Sequence, residues 1–425
     1  MATHKGWYAD WMYCWETRLT NEDSNRIVRP LEWGFDWVED FIDAHGLREK
    51  LFGGRDPESL SRFEAEDAMA ALNAEIVARS DAFFGYEKPT DYVLEERYPQ
   101  LFPTNVRPKT LANDAEWKRK AETGEIEKAQ FLRFTSPVRT KYPENDLVNA
   151  RWYPAPAEKM AGKPKQAIIV MPQWNADAFS HNVLCSLFNR FGISALRLSK
   201  PYHDIRRPAE LERSDYAVSA NLGRTIAACR QAVVDIRCCM DWLEEQGYEQ
   251  FGVLGTSLGS CYAFIASAHD ARLQVNAFNH ASTAFGDVVW TGQSTRHIRQ
   301  GLEEAGLTQE GLRTAWASVS PFSYMERFAT LTDKQVLVVH AKYDLTFIEA
   351  YSLETLKHFS RLGINYESKV LPCGHYTTGE KPYAYLDGWF LGSFVYRAFR
   401  AAARRAIPPS ASAPSGREMA RHATP

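Results

Sequence analysis

From residue 129 onward the chain alternates short apolar runs with longer helical stretches, and this alternation restricts the fold more than any other feature. Ala129–Thr135 and Leu147–Tyr153 read as a pair of strands, followed by a polar loop at 154–165. Further strands are expected at Gln166–Met171, Ile193–Leu198, 251–255, 274–279, 335–340 and Tyr366–Leu371. Helical patterns at 179–191, 216–246, 257–269, 347–362 and Tyr383–Ala406 separate most of them. Strands that take turns with helices imply an α/β fold, a doubly wound, mainly parallel sheet with helices on both faces. One interval is too long for a single crossover helix, so residues 285–328 are expected to form an inserted helical cap over the C-terminal edge of the sheet.

The first 125 residues follow a different pattern. They read as an aromatic-rich helical extension, with Trp7, Trp11 and Trp15 on one helix face, Tyr8 alongside, and Trp33, Trp37, Phe41 and Ile42 as the apolar stripe of a second helix. Asp56-Pro57-Glu58-Ser59 looks like the start of a third, running through Ala82. The expected organisation is thus an extension at 1–125, a core at 126–406 carrying the cap, and a Pro/Ser/Ala-rich disordered tail at 407–425.

Charge and composition narrow the function classes. Lys and Arg number 50 against 53 Asp and Glu, a net charge of −3, which gives no global attraction to nucleic acid. No apolar run reaches the roughly 18–20 residues of a membrane-spanning helix, and the N-terminus lacks the apolar segment of a secretory signal. A cytoplasmic protein is the expectation. The seven cysteines are scattered and mostly apolar in context, so all are read as reduced, with no shared metal. Aromatic residues reach 13%, more than core filling readily accounts for.

Gly255-Thr256-Ser257-Leu258-Gly259 is the sharpest local signal. It follows an apolar strand and precedes a small-residue helix, the setting of a strained turn that exposes a serine at the edge of a sheet. A serine hydroxyl needs a base to become a good nucleophile. Two later strand ends supply partners: Asp344 follows the strand at 335–340, and His375 follows Tyr366–Leu371. His375 is expected to take the Ser257 proton and later protonate the leaving group, with Asp344 fixing its tautomer. Asp287 is the next candidate for the acid.

An oxyanion hole needs two donors. The Leu258 N–H is the first, and the loop after Gln166–Met171 supplies the second through Trp174, with Gln173 as the alternative. His280, Tyr202, Phe285 and Trp290 are candidate substrate contacts. His203-Asp204 has no third ligand at metal spacing, and no metal or other cofactor is expected.

Residues 129–400 resemble the α/β-hydrolase superfamily through Gly255 to Gly259, Asp344 and His375, in that order and on those elements. Ser199-Lys200-Pro201-Tyr202-His203, Arg206-Arg207-Pro208 and Ala281-Ser282-Thr283-Ala284 are similar to segments of the group named α/β-hydrolase domain-containing protein eighteen. The resemblance implies a serine hydrolase, with a carboxylic ester cleaved through an acyl-enzyme as the leading reading. Lipid acyl hydrolysis, acyl transfer or amide cleavage on the same triad, and a non-catalytic interaction module, are the alternatives. Serine at the nucleophile position disfavours halide release, which uses aspartate there. The partner expected is a small-molecule or lipid ester. The basic residues Arg397, Arg400, Arg404 and Arg405 raise peripheral lipid contact, and homo-oligomerisation stays open.

Overall fold

The computed structural model describes residues 6–104 and 108–406, so the tail expected to be disordered lies outside the described residues. Nine strands form one sheet: β1 (Val93–Arg97), β2 (Ala129–Thr135), β3 (Leu147–Tyr153), β4 (Gln166–Met171), β5 (Ile193–Leu198), β6 (Gln250–Thr256), β7 (Leu273–Asn279), β8 (Gln335–Ala341) and β9 (Tyr366–Leu371). Their order is β1-β2-β3-β5-β4-β6-β7-β8-β9. β1, β2, β3 and β5 pair antiparallel in succession, and every pairing from β5 through β9 is parallel. The expected mainly parallel, doubly wound sheet is what the chain forms.

Helices of seven residues or more are α1 (Trp7–Asn21), α2 (Arg62–Ala78), α3 (Pro108–Glu122), α4 (Asn182–Arg190), α5 (Leu222–Glu245), α6 (Leu258–Ala268), α7 (Phe285–Thr291), α8 (Arg296–Glu304), α9 (Gln309–Ala315), α10 (Glu349–Arg361) and α11 (Tyr383–Ala406). β6 is buried along its whole length, as a parallel strand covered on both faces must be. One face of the sheet packs with α5 and α6 in a large core. The other packs against α4, α11 and Met12 of α1. Residues 285–328 form α7, α8, α9, short 3₁₀ turns and most of the short helix Met325–Ala329.

The N-terminal segment departs from its expected form in three ways. It is not all helix, because Val93–Arg97 adds an antiparallel edge strand beside β2. It is not peripheral either: Phe41, Met69, Leu72, Phe83 and Phe84 belong to the main core. Finally, the tryptophan stripe of α1 is only partly turned inward: Trp7 is 80% and Trp11 46% exposed, Trp15 packs beside Tyr383, and Ala9, Met12, Glu16 and Thr20 form the buried face. Spacing fixes which residues share a helix face, but not which face turns inward; here a short face bearing a buried carboxylate turns inward. The expected helix from Pro57 begins later: Asp56 caps a 3₁₀ turn, and α2 starts behind Ser61 with a capping box to Glu64.

Candidate active site

Ser257 stands between the end of β6 and the start of α6 with φ 56° and ψ −121°, a left-handed conformation costly for any residue but glycine. Backbone contacts hold it there: its N–H donates to the Asn279 carbonyl (2.8 Å), and its own carbonyl accepts from the Ser260 hydroxyl (2.6 Å). The flanking glycines answer to close approach. A Cβ on Gly255 would lie 2.2 Å from the Gly259 carbonyl oxygen, and one on Gly259 would lie 2.2 Å from that of Met171. Strand, turn and helix therefore interlock only with glycine at both places, and Ser257 is left at the floor of a cavity of about 1220 Å³.

Asp344 sits in the loop after β8, and its two oxygens have different tasks. Oδ1 accepts the backbone N–H groups of Thr346 and Phe347, both at 2.7 Å, which fixes the carboxylate against its own loop. Oδ2 accepts from His375 Nδ1 at 2.8 Å and from His280 Nδ1 at 3.1 Å. Burial pushes the Asp344 carboxyl up, but the two imidazoles outweigh it and hold the group well below the usual carboxylate range. For His375, burial works against the charged form; Asp344 and, farther off, Glu16 reverse this and set its pKa above the ordinary imidazole value. The His375 ring lies parallel to Phe347, with centroids 5.4 Å apart. Ser257 and His375 line the same cavity, and in this structure no hydrogen bond joins them.

Two participants have no counterpart in the sequence reading. Glu16 of α1 is fully buried beneath the His375 loop, where it accepts from the N–H of Tyr376 (2.8 Å) and of Thr377 (3.0 Å) and from the Thr377 hydroxyl (3.1 Å). A Cβ on Gly374 would meet Glu16 Oε2 at 2.4 Å, so the residue before His375 is glycine for the sake of a helix at the other end of the chain. The second is the sharing of Asp344. His280 was expected at the pocket, and it lines the cavity, but it also competes with His375 for Oδ2.

The remaining candidates divide clearly. Gln173, Trp174, Leu258 and Phe285 line the cavity beside Ser257. Tyr202 does not: it is fully buried, with its ring edge-on to Tyr142 and Tyr216. Trp290 packs against the core and is likewise no part of the cavity wall. Asp287 is committed elsewhere, to Arg313 at 2.8 Å and Gln309 at 2.6 Å, which removes it as an alternative acid. The segment around Tyr202 acts on the wall from behind. Lys200 Nζ donates to the Gln173 carbonyl (2.9 Å), and His203 Nε2 accepts the Asn175 N–H (3.2 Å), so the loop carrying Gln173 and Trp174 is braced by buried groups. Arg206, fully buried against Asp235 at 2.8 Å, anchors that brace. A ring nitrogen of His280, one of His375 and a carboxylate oxygen of Asp344 lie within 4.8 Å of one another, and both Nδ1 atoms are already bonded to Asp344 Oδ2.

The cavity runs from Ser257 outward between α4 and α11, where its rim carries Val183, Phe191, Tyr385 and Trp389, all exposed. Among the described residues no helix is long and apolar enough to cross a membrane. All seven cysteines are unpaired.

The chain is similar to acetyl xylan esterase 1 from Thermoanaerobacterium, at 13% identity over 79% of this chain and 93% of that one, with a TM-score of 0.50. It is also similar to the esterase Est1E from Butyrivibrio proteoclasticus (14% identity, 60% of this chain, 96% of that one, TM-score 0.43). A third is the Pyrococcus furiosus esterase Pf2001 (14% identity, 74% and 99%, TM-score 0.42). No family model and no curated protein matches the sequence. The chain has the α/β-hydrolase fold.

Proposed function

We propose that the protein is a serine hydrolase that cleaves carboxylic esters through an acyl-enzyme. The observation carrying this reading is the conjunction of a serine strained into φ 56° at a strand-helix turn with His375, which lines the same cavity and is held from behind by the buried Asp344. In this account Ser257 Oγ attacks the ester carbonyl while His375 Nε2 takes its proton, and the resulting imidazolium is stabilised by Asp344. The N–H groups of Leu258 and of Trp174 or Gln173 stabilise the tetrahedral oxyanion. Collapse expels the alcohol, protonated by His375; water then attacks the acyl-enzyme by the same path in reverse roles.

Cavity size and rim favour an acyl chain longer than acetyl. Kinship with the group named α/β-hydrolase domain-containing protein eighteen, which rests on the segments around Tyr202, Arg206 and Ser282, is part of the same proposal. The test is turnover of p-nitrophenyl acetate, butyrate and decanoate. Native protein hydrolyses them with the longer chains preferred, and Ser257→Ala lowers turnover by several orders of magnitude, leaving only the residual catalysis of the oxyanion hole and binding. Activity retained in Ser257→Ala would remove the reading.

A further inference from the structure

Next to the nucleophile, the cavity wall contains polar atoms that the triad leaves unused. Asn279 ends β7 and His280 follows it with φ 51°, a left-handed turn that breaks the alternation of the pleat. Both consecutive residues consequently line the cavity, although each is only 1% exposed. His280 donates through Nδ1 to Asp344, so in the neutral ring Nε2 is an acceptor, and that atom is buried without a partner. Asn279 uses its amide N–H on Asp387 Oδ2 (3.0 Å) and leaves Oδ1 buried without a donor. Asp387 of α11 lines the cavity too, and its Oδ1 is a third buried acceptor with no donor.

Three acceptors and no spare donor form a site for a group rich in N–H or O–H. Charge selects between the two. Burial lifts the Asp387 carboxyl to about 6, with His280 and Asn279 pulling the other way, and a cation placed beside it would favour the ionised form. No lysine or arginine pairs with it among the described residues. With the His280 ring neutral, as its free Nε2 acceptor requires, this carboxylate has no counter-charge, and a cationic ligand supplies one. Space exists beside it: Gly388 also lines the cavity, and a Cβ there would meet nothing within 4 Å.

We infer that Asn279 Oδ1, His280 Nε2 and the Asp387 carboxylate form a subsite for a primary ammonium group, whose three N–H donors equal the three acceptors in number. The inference rests on the proposed hydrolase reading in one respect: the subsite adjoins Ser257, so the favoured substrate is an amine-bearing ester.

Binding can be read without turnover. The full-length protein is titrated with n-butylammonium chloride at constant ionic strength, and separately with n-butanol, by ligand-observed NMR. The amine is expected to bind at least tenfold more tightly than the alcohol. Asp387→Asn should weaken amine binding at least tenfold. Gly388→Leu, which puts a side chain into the open cavity wall one residue along α11 and adds a good helix former, should do the same with Asp387 intact. Equal affinity for amine and alcohol, or amine binding undiminished in both variants, overturns the subsite. Ester turnover lost in Ser257→Ala alongside that result would leave the hydrolase reading standing; specific amine binding without any ester turnover would uphold the subsite and sink the hydrolase reading instead.

Discussion

At the scale of single residues, the site depends on a carboxylate that holds two imidazoles. Asp344 spends one oxygen on its own loop and the other on His375 and His280. Replacing it with asparagine keeps the shape but presents an N–H where an acceptor is needed, so His375 adopts the wrong tautomer. Asp344→Asn should lower kcat by about 10³–10⁴-fold with KM little changed; a loss under tenfold would show that another group orients His375. Ser257 and Asp344 could be placed from the sequence because each follows a buried apolar strand, and a residue at a strand's C-terminal end is placed by the sheet itself; His375 follows a polar, largely exposed edge strand, Tyr366–Leu371, of which only the Val370-Leu371 end is apolar. Tyr202 was misread for the same reason in reverse. An aromatic residue near a strand end looks like a pocket wall, and nothing local says that Tyr142 and Tyr216 close over it.

At the scale of elements, α1 reaches the far end of the chain and adds a carboxylate, Glu16, to the charge that Asp344 already places beside His375, the proposed base. Glu16 is held largely through backbone N–H groups of the His375 loop, and burial and Asp344 both raise its pKa. His375 must be neutral to accept a proton, and its pKa stands above the ordinary 6.5. Activity should therefore rise with pH through a midpoint above about 6.5. Glu16→Gln removes a negative charge that favours the imidazolium, so the kcat/KM midpoint should move to lower pH; a midpoint that stays put or moves up would deny Glu16 this role. No sequence signal marks Glu16, since its partners lie about 360 positions away. The strands, by contrast, were legible almost to the residue: buried parallel strands are continuous apolar runs, and turns bound them on both sides. β1 escaped because Val93–Arg97 is an exposed edge strand carrying two glutamates and an arginine.

At the scale of the whole molecule, the N-terminal region is continuous with the hydrolase core, although its composition suggested a separate extension. Phe41, Met69, Leu72, Phe83 and Phe84 are buried in the main core. At about 1.5–3 kcal/mol for each such side chain, their removal costs on the order of 10 kcal/mol, comparable to the full stability of a typical domain. A chain beginning at residue 86 should fail to give a cooperative thermal transition, whereas independent folding of residues 86–406 would show the region to be dispensable. The aromatic excess noted in the sequence is partly spent here, in packing, and partly on the exposed rim formed by Tyr385 and Trp389.

The central claim is that Ser257 is an activated nucleophile, and covalent labelling tests it most directly. Native protein treated with a fluorophosphonate and digested should carry one added phosphonyl group on the peptide containing Ser257, and His375→Ala should abolish labelling although the serine remains. An unlabelled native protein, or label on a different residue, would contradict the account.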